Sequence, residues 1–419
     1  MRTVTPRHRG HSRRLTLAAA ALAAVILLPL TAATGPYLVY VAVRRTTTIT
    51  LPEPDGLYPI GRISQVWTDP QRTDPLSPTQ PVQRRLAVWI WYPASPVDTP
   101  TSPYAPGEWN GLQLGGLPGL GESSFQQIRT HVHDNIPTAP GRFPMVIFEP
   151  GLGFAALQYS SLAEQIASHG YLVVAVTPTF SANLTVLENG PVHQSPNGNP
   201  PSLETDDLHS GAAASDAARL LQIWAADARF ARDQTQQAGR STTGILAGHV
   251  DGRRIAYLGH SFGGAAALQA CADDPRCQAA ADLDGTQFGD VVHRGLRTPL
   301  LLIGSQNSCI TGSCTPTQRG DQADQQAASE LITHSTGPVW RCRIQGAEHF
   351  NFTDYGAYYL AAPLRPLLAL GPIGGRRAIT ITNTYLVAFL DHAIRNKREP
   401  ILDAPRSPFP EVQTPPIHR

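Results

Sequence analysis

The chain has 419 residues, 42% of them hydrophobic and 16% charged, with a formal net charge of +1 at pH 7. That length supports one large core or two modest ones. A charge-poor, nearly neutral chain excludes a nucleic-acid surface built on excess positive charge. The charge is unevenly placed: residues 1–14 carry five arginines and no acid, so the remainder sums to −4.

The basic head, residues 1–14, precedes LTLAAAALAAVILLPLTAATGPYLVYVAV, residues 15–43. This run holds no charge and ends at Arg44 and Arg45. A stretch of 29 uncharged residues is long enough to cross a bilayer. A positive head that stays inside would place the rest of the chain outside. The expectation is a transmembrane anchor that associates the protein with the cell membrane and holds an extracytoplasmic catalytic domain. Secretion after cleavage of a signal segment, at the small-residue site Leu30-Thr31-Ala32-Ala33, is the alternative.

Residues 46–419 read as one catalytic domain. Residues 46–82 are rich in Thr, Pro and Asp and predict an irregular surface path. LAVWIWYP (86–93) predicts a strand, and 94–141 a long loop punctuated by Pro and Gly. FPMVIFEPG (143–151) is a buried strand, LAEQIASHG (162–170) a helix and YLVVAVTP (171–178) a strand. Residues 179–210 are polar and irregular, and a helix covers about 212–231. Further strands are predicted at 254–260, 279–285, 299–305 and 339–344, with a closing helix at 381–395. Short apolar strands alternating with helices imply a largely parallel sheet covered on both faces.

The five cysteines fall at 271, 277, 309, 314 and 342. Two local bridges, Cys271–Cys277 and Cys309–Cys314, with Cys342 left over, form one of several pairings open to them. No pair has the C-x-x-C spacing of a metal site, and neither a metal nor an organic cofactor is expected.

IAYLGHSFGG, residues 255–264, joins a short apolar run to G-x-S-x-G and a run of alanines. The order predicts a strand, a tight turn carrying Ser261, and a helix, the arrangement of a nucleophile elbow. A serine hydroxyl needs a base, and the base needs an orienting carboxylate. In α/β-hydrolases those partners follow the serine in the order acid, then histidine. Asp284 ends the strand AAADLD. Asp282 shares its face but lies deeper, where an unpaired charge costs more. Of the later histidines, His349 lies in a loop directly after a strand. His293 lies in a helix or at its end, His334 in ITHSTGP before a strand, and His392 inside the closing helix. The oxyanion donors are expected to be the backbone N–H of Phe262, after the nucleophile, and of Leu152, in the loop EPGLGF. Phe154, Phe180, Phe262, Phe350 and Phe352 are candidates for an apolar wall.

At these motifs the chain resembles the platelet-activating-factor acetylhydrolase-like branch of the α/β-hydrolases. The resemblance runs from Leu51 to Ile394 and rests on LPEPDGLYPIGR, LAVWIWYPA, PGLGF, LAEQIASHGYLVVAV, GHSFGGAAALQ, ADLDG, GAEHFNFTD and AITITNTYLVAFLDHAI. It implies an α/β-hydrolase fold, with Ser261 as nucleophile, Asp284 as orienter, His349 as base, and Leu152 and Phe262 as oxyanion donors. Pro150 stands where the family's loop often has His. The activity implied is carboxylic-ester hydrolysis through an acyl-enzyme, on a small ester or lipid substrate. A peptidase or amidase, and a non-catalytic envelope binding protein, are the alternatives.

Overall fold

Strands buried on both faces carry near-continuous apolar runs, because each face must meet a separate helical layer. The computed structural model describes residues 34–414 except 80, 113–121, 206, 318 and 358–364. Its main sheet has ten strands: β1 (Ile60–Thr73), β2 (Gln83–Pro93), β3 (Val132–Asp134), β4 (Phe143–Glu149), β5 (Leu172–Thr177), β6 (Val250–His260), β7 (Cys277–Leu283), β8 (Leu300–Gly304), β9 (Val339–Ile344) and β10 (Val412–Gln413). The order is β10-β9-β8-β7-β6-β4-β5-β2-β1-β3. From β9 to β5 every neighbouring pair is parallel, whereas β2 is antiparallel to both β1 and β5.

Alternation along the strands sorts their side chains into two layers. Val146, Phe148, Ala256 and Leu258 join one core with Leu162 and Ile166 of α2 (Ser160–Ser168) and Leu386 and Phe389 of α7 (Gly375–Arg395). Met145, Ile147, Ile255 and Tyr257 join the other with Ala225 and Ala228 of α3 (Gly211–Arg240) and Leu268 of α4 (Phe262–Asp273). Also on that second face are Val291 of α5 (Asp290–Arg294) and Leu331 of α6 (Arg319–His334). This is the α/β-hydrolase fold: a mixed, centrally parallel sheet between helices. The parallel strands deliver their C-terminal ends to one edge, where Ser261 and Asp284 follow β6 and β7.

Several elements differ from the sequence expectation. Residues 46–82 include the 14-residue strand β1, which the Thr, Asp and Gln along it concealed. Its pairing with β2 buries Ile60 and Ile63. Within it Arg62 is fully buried, held by Asp134 at 2.8 Å and by the carbonyls of Pro103 and Tyr104. The helix expected at 212–231 runs to Arg240. Cys271–Cys277 and Cys309–Cys314 are bridged and Cys342 is buried as a thiol.

The transmembrane anchor is overturned. Residues 15–33 lie outside the described residues, and 34–46 form α1. Tyr40 and Arg44 on α1 are fully buried in the globular body, and the Arg44 guanidinium sits 5.0 Å over the Phe125 ring. Tyr40, near the end of the uncharged run, and Arg44 just after it are therefore packed against protein rather than lipid. No helix among the described residues is long and apolar enough to cross a membrane. The membrane association and the cell-membrane placement rested on that span and fall with it.

Candidate active site

Ser261 is the single residue between β6 and α4, with φ 57° and ψ −129°. A non-glycine residue in that region costs about 1–3 kcal/mol and must be held there by its surroundings. Its N–H donates to Leu283 C=O at 2.9 Å, and its C=O accepts Gly264 N–H at 2.8 Å. The turn also needs room. A Cβ on Gly259 would overlap the Gly263 backbone, and one on Gly264 would overlap the Asp282 carboxylate. Glycine at these positions is thus a requirement of close approach.

Asp284 follows β7 with φ 55°. Its N–H donates to Ile303 C=O, and one carboxylate oxygen accepts Ser305 N–H at 2.7 Å. The other oxygen lies 2.8 Å from His349 Nδ1, and His349 Nε2 lies 2.9 Å from Ser261 Oγ. Burial pushes the Asp284 pKa up. The hydrogen bond and charge of His349 and the contacts of Ser305 and Ser308 more than offset this and hold it below the usual value. An ionised Asp284 can only accept, so Nδ1 carries a proton, and in the neutral ring the Nε2 lone pair faces the serine O–H. The structure brings together the three residues singled out in the sequence.

The rivals lie elsewhere or do other work. Asp282 is fully buried, accepts Gly285 N–H at 3.0 Å and Gln287 Nε2–H at 2.9 Å, and packs against Gly264. Burial holds its carboxyl well above the ordinary range. It braces the turn that presents Asp284. His293 pairs with Glu330, His334 faces Val292 C=O, and His392 packs edge-on to Trp340.

The N–H groups of Leu152 and Phe262, expected as oxyanion donors, sit among neighbours that have partners of their own. In the loop after β4, Gly151 N–H donates to Tyr159 Oη, Gly153 N–H to Ser181 C=O and Phe154 N–H to Gly151 C=O. The Leu152 N–H shares a trans peptide with Gly151 C=O, so it points away from that bond. Phe262 N–H opens α4, where no intrahelical acceptor exists. It shares a peptide with Ser261 C=O, which is already committed to Gly264.

The expected apolar wall divides in two. Phe154 meets Phe350 at 5.2 Å and Tyr355 at 5.3 Å. Phe180 and Phe262 belong to a separate cluster with Trp224 and Phe288, against which Leu152 packs. Phe352 lies in the core, 5.9 Å from the His260 ring. Phe288 went unnoticed in the sequence because nothing local marks it.

The loop carrying His349 is held by residues far away in sequence. Asp354 accepts Ser160 N–H (2.8 Å), Ser161 N–H (3.0 Å) and Tyr104 O–H (2.9 Å). Gln158 donates to Tyr355 Oη, and Asn351 Oδ1 accepts both Glu348 and Gly371 N–H. Burial pushes the Asp354 carboxyl up to about 7. FNFTD is visible in the sequence, but the partners of Asp354 are not.

A strand, elbow and helix on a doubly covered sheet, with an imidazole between the serine and a buried carboxylate, define an α/β-hydrolase site of the serine type. The family model described as platelet-activating factor acetylhydrolase, isoform II, matches residues 110–204 and 241–400, and the chain belongs to that family. It is 26% identical over 397 residues to a probable 1-alkyl-2-acetylglycerophosphocholine esterase of Arthroderma benhamiae, spanning 86% of this chain and 92% of that protein. It is 27% identical over 336 residues to the platelet-activating factor acetylhydrolase of Cavia porcellus, spanning 72% and 71%. Among solved structures, the ferulic acid esterase from Streptomyces cinnamoneus superposes with a TM-score of 0.72 at 27% identity, over 88% of this chain and 99% of that one. Family and fold together make the protein a serine-type esterase or hydrolase acting on ester substrates.

Proposed function

We propose that the protein hydrolyses carboxylic esters through an acyl-enzyme on Ser261. The observation that carries this reading is the continuous hydrogen-bonded line from Ser261 Oγ through His349 to Asp284, at 2.9 and 2.8 Å. His349 Nε2 takes the hydroxyl proton as Oγ attacks the ester carbon. Asp284 stabilises the imidazolium that forms. The oxyanion is received by the N–H groups of Leu152 and Phe262. His349 then passes its proton to the leaving alcohol. In the second half, His349 draws a proton from water, the hydroxide adds to the acyl carbon, and Ser261 Oγ leaves with that proton.

For substrate we propose small-acyl esters, including those carried on lipids. The two aromatic clusters beside the elbow offer apolar contact to an acyl or alcohol group. The relatives extend from an acetyl-glycerophosphocholine esterase to a ferulic acid esterase, so acyl identity is the variable to assay. The test is turnover of p-nitrophenyl acetate, palmitate and ferulate beside a matched acetanilide. Acetate turnover lost in Ser261→Ala supports the proposal. Unchanged turnover in that variant, or faster cleavage of the anilide, overturns it.

A further inference from the structure

His260 precedes the candidate nucleophile and is fully buried, yet the reaction described above gives it no task. Its two ring nitrogens are both engaged. Nε2 lies 3.0 Å from the backbone C=O of His349, and Nδ1 lies 2.8 Å from Tyr159 Oη. Tyr159 Oη in turn accepts Gly151 N–H at 2.9 Å. A carbonyl can only accept, so Nε2 carries a proton. Burial and the nearby His349 push the His260 pKa down to about 3, so the ring is neutral and its Nδ1 is a lone pair. Tyr159 must then donate its only proton to Nδ1, leaving its oxygen to accept from Gly151. Every proton in this string has one place.

The string connects three parts of the site. One end is Gly151, whose carbonyl shares a peptide with the Leu152 N–H. The other end is the backbone of His349. The middle is the residue before Ser261. We propose that His260 and Tyr159 are positioning residues that fix the oxyanion loop and the base loop at one distance from the elbow serine. This inference rests on the ester-hydrolase reading of the site.

Two further observations fit. A Cβ on Gly151 would stand 3.2 Å from His260 Nδ1, 3.2 Å from Tyr159 Oη and 3.3 Å from Ser261 Cβ, so a methyl group there would press on all three. The His260 ring also packs 4.7 Å from the His349 ring at 36°. A neutral ring there places no repelling charge beside the imidazolium that forms on His349.

The experiment uses the full chain with Tyr159→Phe, His260→Gln, His260→Leu and the Tyr159→Phe/His260→Leu double variant. Turnover of p-nitrophenyl acetate is expressed per titrated active serine, so unfolded protein does not count. Tyr159→Phe keeps the ring and loses only the hydroxyl. Small misplacements of reacting groups cost up to about 100-fold, and we expect kcat to fall about 10- to 100-fold with KM within about threefold. His260→Gln keeps an N–H for the His349 carbonyl and should fall less than His260→Leu. Adding Tyr159→Phe to His260→Leu should cost less than about twofold, because the string is already broken. Wild-type kcat per serine in Tyr159→Phe, or losses that multiply in full in the double variant, overturns the inference while leaving the ester-hydrolase reading intact. A wild-type protein without Ser261-dependent turnover overturns both.

Discussion

The elbow around Ser261 and the loop around His349 reach the same point by different means. The elbow is nearly self-contained. Its conformation is dictated by glycines within five residues, and most of its supports lie on β6, α4 and the neighbouring β7. The base loop has little regular structure beyond short 3-10 turns. It is located by Asp354, Asn351 and Tyr355, each of which has partners 20 to 250 residues away in sequence. Ser261 is placed by local geometry and His349 by long-range hydrogen bonds. Local defects should therefore destroy the elbow outright, and distant ones should loosen the base loop while the elbow persists.

The harshest test is Gly259→Ala. Its methyl would overlap backbone atoms of Gly263, which no rotamer change relieves. We expect a loss above about 4 kcal/mol, read as absence of a cooperative unfolding transition at 25 °C. A well-folded, active variant would show that the elbow has slack.

Next is Asp354→Ala, which leaves the N–H groups of Ser160 and Ser161 and the Tyr104 hydroxyl without their acceptor. Buried donors left unmade cost about 1–3 kcal/mol each, with partial relief where water enters. The expected loss is about 3 kcal/mol by denaturant midpoint. Hydrogen exchange should rise at 346–357 and not at 258–266. Equal rises in both segments would erase the contrast.

The same carboxyl gives a pH signature. Its folded pKa, raised by burial to about 7, lies above the ordinary 3.8. Between those values the folded state holds a proton that the unfolded state has released, so this group's contribution falls as pH rises. From pH 5 to 7 the loss is about 2 kcal/mol, at up to 1.36 kcal/mol per pH unit. Asp354→Asn should lack that slope when urea midpoints are compared at the two pH values. An identical slope in both proteins would assign the titration elsewhere. The mildest test is Tyr104→Phe, which removes one of three donors to Asp354 and should cost about 1 kcal/mol by thermal melt. A larger loss than that of Asp354→Ala would reverse the order.

The contrast also explains what the sequence made visible. Strands of the central sheet stand out because both faces are buried and their apolar runs are continuous. The elbow stands out because its steric demands fall within a few residues. Asp284 stands out as a candidate because it directly follows a strand, and His349 because its loop follows another strand of the same sheet. Strand β1 was hidden by polar residues that the structure pairs at a sheet margin, as with Arg62 and Asp134. The span at 15–43 was misread because an uncharged run does not reveal whether lipid or protein covers it. Tyr40 within it and Arg44 just after it are buried against protein. His260, Tyr159 and Asp354 had no assigned role because their partners become neighbours only after the chain folds.

Acylation of Ser261, activated by His349, is the step on which the proposed chemistry depends. Fluorophosphonate treatment followed by peptide mass mapping tests this most directly. We expect a single phosphonyl adduct on the peptide containing Ser261. The adduct should be absent in Ser261→Ala and form at least about 100-fold more slowly in a folded His349→Gln variant. An adduct on another residue, or labelling that persists unchanged in Ser261→Ala, would contradict it.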